Sequence, residues 1–140
     1  MPIRKKLEGY MEEFLVPEIV ATEDGVGKEF ALGTSCGKSL LLSLDISRII
    51  EQQSLDISIW GSPDGEHWRQ LATYPQKFYC GTYLLMLDLS SRPEIRFVRA
   101  QWRMHRWGVG EPAVLAGFRL SVEQPKTQNA FAMSSRVAAV

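Results

Sequence analysis

Apolar and polar side chains alternate with a period of two in three separate stretches of the chain. Leu40, Leu42, Leu44 and Ile46 fall on one side of residues 40–46, with Leu41, Ser43 and Asp45 on the other. Leu55, Ile57 and Ile59 alternate with Asp56 and Ser58, and Phe118, Leu120 and Val122 with Arg119, Ser121 and Glu123. An extended strand sends successive side chains to opposite faces, so the pattern predicts antiparallel strands with one face buried and one in water. Residues 95–102, IRFVRAQW, read as a further strand with Val98, Ala100 and Trp102 inward. Residues 83–89, YLLMLDL, are almost unbroken in hydrophobicity and predict a strand covered on both faces. A parallel sheet would need helices between its strands, and no segment is long enough to supply them. The expected fold is all-β, an antiparallel jelly-roll-like β-sandwich of about eight strands.

Turn chemistry agrees with this reading. In Ser62-Pro63-Asp64-Gly65, proline pre-sets the second turn position and glycine supplies a positive φ, which predicts a hairpin with a four-residue loop bulged at Gly65. Gly33, Gly37, Gly61, Gly81, Gly108 and Gly110 punctuate the other strand boundaries. Residues 47–53, SRIIEQQ, read either as a short helical turn or as a broad connection. A chain of 140 residues with 45% hydrophobic side chains has enough core for one domain without metals or staples. The expected organisation is an N-terminal extension over 1–13, a single sandwich over 14–123, and a flexible tail over 124–140. Phe131 and Met133 are the only large apolar groups of that tail, whose other reading is a segment that orders on a partner.

Sixteen bases and sixteen acids cancel, but not evenly along the chain. Residues 1–7 carry a charge of plus three, residues 8–66 minus nine and residues 67–140 plus six. Two consequences are open: strands of the two halves interleave and their fields cancel, or the molecule is a charge dipole. The neutral total argues against nucleic acid as a partner. No apolar run approaches the length of a membrane span, and the N-terminus lacks the apolar core of a secretory signal, so the expectation is no membrane partner and a cytoplasmic location, with association into a particle as an alternative. Cys36 and Cys80 lack metal-ligand spacing, and two free thiols are expected.

Ser62-Pro63-Asp64-Gly65-Glu66-His67-Trp68 resembles the Ser-x-Asp-Gly-x-x-Trp hairpin of the discoidin, or coagulation-factor type C, family of galactose-binding-like β-sandwiches. Ile95-Arg96-Phe97-Val98-Arg99 is similar to that family's Arg-Tyr-Val-Arg strand, and Phe118-Arg119-Leu120-Ser121-Val122-Glu123 falls near its closing strand. The resemblance runs over residues 55–123 and implies a sandwich in which Trp68 packs behind the hairpin. The family's ligand loops fall in the unmatched stretches, so no binding residue carries over. The same hairpin recurs in other β-sandwich proteins, among them components of phage particles.

The chemistry-bearing residues are few. His67 and His105 are the only histidines, and no nucleophile elbow accompanies either; His67 reads as an exposed hairpin residue. Gly25-Val26-Gly27-Lys28 lacks phosphate-loop spacing. No catalytic residue, metal or cofactor is expected. Residues 102–112, WRMHRWGVGEP, place two tryptophans among Arg103, His105 and Arg106. Indole faces stack on sugars and cations, and arginine forks grip carboxylate or phosphate, so Trp107, Arg106, Arg103 and His105 form the candidate ligand site. Trp60, beside Gly61, is a second exposed candidate. The alternative places Trp102 in the core and Trp107 across the bottom of the sandwich, with the arginines paired to acids. Residues 75–83, PQKFYCGTY, form an aromatic loop suited to covering a sheet edge or facing a second subunit, with Cys80 as a small buried group. The leading expectation is a non-catalytic binding or interaction module whose partner is a carbohydrate, an anionic polymer or an acidic protein surface. The alternatives are a structural subunit of a phage-type assembly, with homo-oligomers, and an enzyme with an unrecognised pocket.

Overall fold

The structure, a computed structural model, describes residues 13–108 and 113–123. The proposed tail, most of the N-terminal extension and residues 109–112 of the tryptophan loop lie outside the described residues. Nine strands follow in order among the described residues: β1 (Glu13–Ala21), β2 (Gly25–Val26), β3 (Phe30–Ala31), β4 (Ser39–Ile49), β5 (Gln53–Ser62), β6 (Arg69–Thr73), β7 (Gly81–Asp88), β8 (Phe97–Arg106) and β9 (Ala116–Glu123). They form two antiparallel sheets, one ordered β1-β9-β4-β7 and the other β2-β8-β5-β6, with β3 also on β8. The fold is therefore an all-β, jelly-roll-like sandwich.

The three alternating stretches form the middle of both sheets. Leu40, Leu42, Leu44 and Ile46 of β4, Leu55, Ile57 and Ile59 of β5, and Phe118, Leu120 and Val122 of β9 are all buried, as are Val98, Ala100 and Trp102 of β8. The indole of Trp102 meets the Phe118 ring edge-on at 5.5 Å and ties the sheets together. Its Nε1 donates to the Glu23 carbonyl at 3.2 Å. Gly25 lies directly on that indole, where an added Cβ would stand 2.5 Å from Cζ2.

Three local expectations need correction. Residues 47–53 contain no helical turn: β4 runs to Ile49 and the chain reverses through Gln52, whose φ of 59° is the one positive value on a non-glycine residue among those described. The hairpin between β5 and β6 has a longer connection than four residues, and its register irregularity falls between Ile59 and Trp60. Asp64 organises that longer loop, its Oδ1 accepting from the Glu66 and His67 amides at 2.8 and 2.9 Å. Trp68 packs on the sheet's outer face, where the Arg99 guanidinium lies 4.0 Å from its ring centroid. The third correction is the largest. β7 is an edge strand whose outer face is also uncovered, so the run YLLMLDL is not covered twice: Leu85 and Leu87 turn inward while Leu84 and Met86 remain 64% and 59% exposed.

The acidic and basic halves of the chain interleave. β4 of the acidic half pairs with β9 of the basic half, placing Asp45 opposite Arg119 at 3.0 Å. β5 pairs with β8, placing Asp56 opposite Arg103. The two fields are mixed within each sheet rather than separated between faces.

Candidate interaction surface

The strand order puts the edges β6 and β7 on the same side of the sandwich, because β1 lies against β8 on the opposite side. The link between these edges carries the aromatic loop. After Tyr74 the chain continues to pair with β5, Leu55 N–H donating to the Lys77 carbonyl at 2.9 Å and Lys77 N–H to the Leu55 carbonyl at 3.1 Å. It then turns at Gly81, with φ of 151°, into the other sheet. A side chain at that position would press on the Tyr83 hydroxyl, 3.1 Å from the Cβ position. Tyr83 fixes the turn by donating its hydroxyl to the Tyr79 carbonyl at 2.8 Å, and Lys77 Nζ caps its ring at 4.0 Å.

Phe78, Tyr79 and Trp107 form an aromatic ridge beside this turn. Phe78 meets Tyr79 at 6.5 Å and Trp107 at 6.1 Å, both edge-on, and His105 stacks on Trp107 at 6.1 Å. The ridge borders an open cleft of about 490 Å³ that Ile49, Gln52 and Cys80 also line. Cys80 is exposed here rather than buried, since Gly81 swings the chain outward; it and the half-buried Cys36 are free thiols.

The end of β8 is held by polar contacts that the sequence did not suggest. Trp107 N–H donates to the Gln52 carbonyl at 2.9 Å. Arg106 donates from Nε to the Glu51 carbonyl and from Nη1 to the Ala113 carbonyl, each at 3.1 Å. Gln53 is buried and forms a two-bond ring with Leu115, its Nε2 donating to the Leu115 carbonyl at 3.0 Å and its Oε1 accepting from the Leu115 amide at 2.9 Å. The sequence carries little signal for this role. Gln52-Gln53 stands between two apolar strands, where glutamine reads locally as part of a solvated turn.

The five candidate ligand residues occupy different places. Trp107 stands on the ridge, 43% exposed, and Arg106 braces the loop behind it. Arg103 and His105 lie on the outer face of the β8 sheet, in a groove of about 390 Å³ shared with Asp24, Asp56 and Gln70. Trp60 is half-buried further along that face, opposite Arg99, with its Nε1 donating to Ser58 Oγ at 2.9 Å. Parity explains the division. Positions 103 and 105 share one face of β8, whereas position 106 has the opposite parity, so Arg103 and Arg106 do not flank one groove.

Three carboxylates are held below the usual range. Amides of His67 and then Glu66 lower Asp64, the Ser90 amide lowers Asp88, and a hydrogen bond from Thr82 lowers Asp45, opposed by burial and reinforced by Arg119. Burial, reinforced by the Asp45 charge, pushes the Tyr74 phenol up. No group of three or more His, Cys, Asp or Glu among the described residues could hold a metal ion, and no helix there is long and apolar enough to cross a membrane.

No protein-family model and no curated protein matches the sequence. Solved structures do. A chain in the structure of infectious bursal disease virus Gt strain aligns with a TM-score of 0.52 at 10% identity, over 85% of this chain and 32% of that one. What the two share is a fold. A chain of the Gx strain aligns with a TM-score of 0.48 at 10% identity, over 85% of this chain and 33% of that one. This chain thus spans about a third of the length of the virus chains it matches.

Proposed function

We infer that the protein is a structural subunit of a protein assembly, docking to other chains through the β6–β7 side of its sandwich. One observation carries the reading. Of the seven large hydrophobic residues exposed among those described, Leu84 and Met86 lie on β7, Phe78 and Tyr79 on the loop leading into it, and Trp107 against that loop. Scattered exposed hydrophobics are ordinary, but a concentration along one edge marks an interaction surface. Aromatic residues and methionine are the types enriched at such contacts. The fold shared with a chain of a virus structure supports the same reading.

The carbohydrate-binding alternative has less support. Arg106 commits two of its five N–H donors to the Glu51 and Ala113 carbonyls. Arg103 lines the groove of the β8 outer face, not the cleft that Trp107 lines, which leaves His105 as the one candidate polar group stacked on Trp107. Sedimentation equilibrium of the full chain over a wide concentration and salt range tests the assembly reading. Concentration-dependent association is expected; a monomer under every condition, with no partner protein retained on an immobilised sample, refutes it.

A further inference from the structure

The four lateral edges of the sandwich are not equally protected. β1 carries Pro17 and Glu18 and has two register shifts against β9. β2 and β3 are two residues each. β6 has five residues, begins Arg69-Gln70 and is bulged against β5. Proline, charge, brevity and bulges are the devices that stop an edge from pairing with another chain. β7 has none of them in its middle. It runs for eight residues in unbroken register with β4, and its one charged residue, Asp88, stands at its end.

We propose that two copies of the chain pair antiparallel through β7, with Leu84 of one copy opposite Met86 of the other, so that the four-stranded sheet continues across the contact. The proposal rests on the assembly reading above and names its partner and register. A second copy suits the edge because its two ends differ in charge: Lys77 sits over Tyr83 near the start of β7, and Asp88 closes it. Antiparallel pairing about a two-fold axis brings unlike ends together, whereas parallel pairing would set like against like. The zero net charge of the whole chain adds no general repulsion between copies.

Face and charge together fix the register. Residues opposite each other in an antiparallel pair share a face, so Thr82, Leu84, Met86 and Asp88 must meet one another and not the inward Leu85 and Leu87. Centring the axis on Leu85 sets Leu84 against Met86 twice and Thr82 against Asp88 twice. A shift of two residues one way places Leu84 opposite Asp88. The opposite shift carries Asp88 past the start of the facing strand. In the centred register the Phe78–Tyr79 loop of each copy also extends beyond the Asp88 end of its neighbour, which widens the contact past the strand itself.

The test uses the full chain. Leu84→Lys combined with Met86→Lys alters only exposed positions and places like charges opposite each other in the centred register. The dissociation constant should rise on the order of 100-fold, with an unchanged circular dichroism spectrum. For the register, Leu84→Cys and Met86→Cys are made separately, each with Cys36→Ser and Cys80→Ser. Oxidation should join the mixture through a disulfide, whose Cβ atoms must come within about 4 Å, and either variant alone poorly, because its thiols lie on the diagonal. Association that survives both lysines overturns β7 pairing and leaves the assembly reading standing. Cross-linking of Leu84→Cys alone as efficiently as the mixture overturns the register. A wild-type chain that stays monomeric, with the thiol introduced at position 84 shielded from maleimide, assigns β7 to another segment of the same chain and overturns the proposal. A monomer with that thiol freely reactive and no partner protein retained overturns both readings.

Discussion

Gln53 offers a sharp check on the account of how the Trp107 end of the sandwich is held. The side chain is 1% exposed and satisfies both backbone groups of Leu115, the residue that leads into β9. Gln53→Ala removes two hydrogen bonds worth about 1 kcal/mol each and leaves the Leu115 amide and carbonyl without their partner, for a total loss of about 2–4 kcal/mol. Gln53→Glu is more discriminating. An ionised carboxylate can accept from the Leu115 amide but faces the Leu115 carbonyl with no proton to donate, whereas a protonated one reproduces the glutamine pattern. Burial and the facing carbonyl therefore raise the new carboxyl's pKa above its unfolded value of about 4.3. A raised folded pKa gives stability that is present below the unfolded pKa and lost as pH rises through the folded one. Urea denaturation of wild type and Gln53→Glu at pH 4 and pH 7 should show a small gap at the lower pH and a wide one at the higher. A gap that is independent of pH, or a Gln53→Ala loss below about 1 kcal/mol, would refute the reasoning, because the ring would then be solvated rather than buried.

Gly25→Val should destabilise the fold by about 1–3 kcal/mol in the same assay, since its Cβ would press into the Trp102 indole that joins the sheets. Trp102→Ala should cost about 3–5 kcal/mol, as it removes the contact with Phe118 and opens a cavity. Asp45, Asp64 and Asp88 all have depressed pKa values, so their contributions are present above the unfolded value of about 3.9 and disappear as pH falls below it. The melting temperature should drop in that acid range, and the gap between wild type and Asp64→Ala should narrow there. Cys80 should react with a thiol reagent in the native state well before the half-buried Cys36, as read by absorbance and peptide mapping.

Most of the sandwich interior was legible because a strand's side-chain period is short and three stretches obey it, with the outward Leu41 as the one apolar exception. Leu40 to Ile46, Leu55 to Ile59 and Phe118 to Val122 were placed inward by parity, and parity alone also placed Val98, Ala100 and Trp102. Position within a sheet was less accessible. YLLMLDL reads as doubly covered because hydrophobicity usually records burial, yet here it belongs to an edge strand whose outward Leu84 and Met86 stay exposed. The interleaving of charge depended on strand order, which no local pattern encodes. The grouping of Arg103 with Arg106 followed sequence proximity where the strand period separates them. The turn at Gln52 escaped notice because a positive φ on glutamine has no compositional signature.

The position of β9 bears on how the molecule comes into being. It lies between β1 and β4, pairing with both along most of its length, although it is the last strand described in the chain. Until residues 116–123 leave the ribosome, β1 has no neighbour in its sheet and β4 presents a bare edge full of leucine. Dense pairing between distant segments of this kind slows folding. During synthesis the nascent β4-β7 pair therefore has two open edges, one on β4 and one on β7. Only β4's disappears once β9 docks, while among the described residues β7 keeps an unpaired edge.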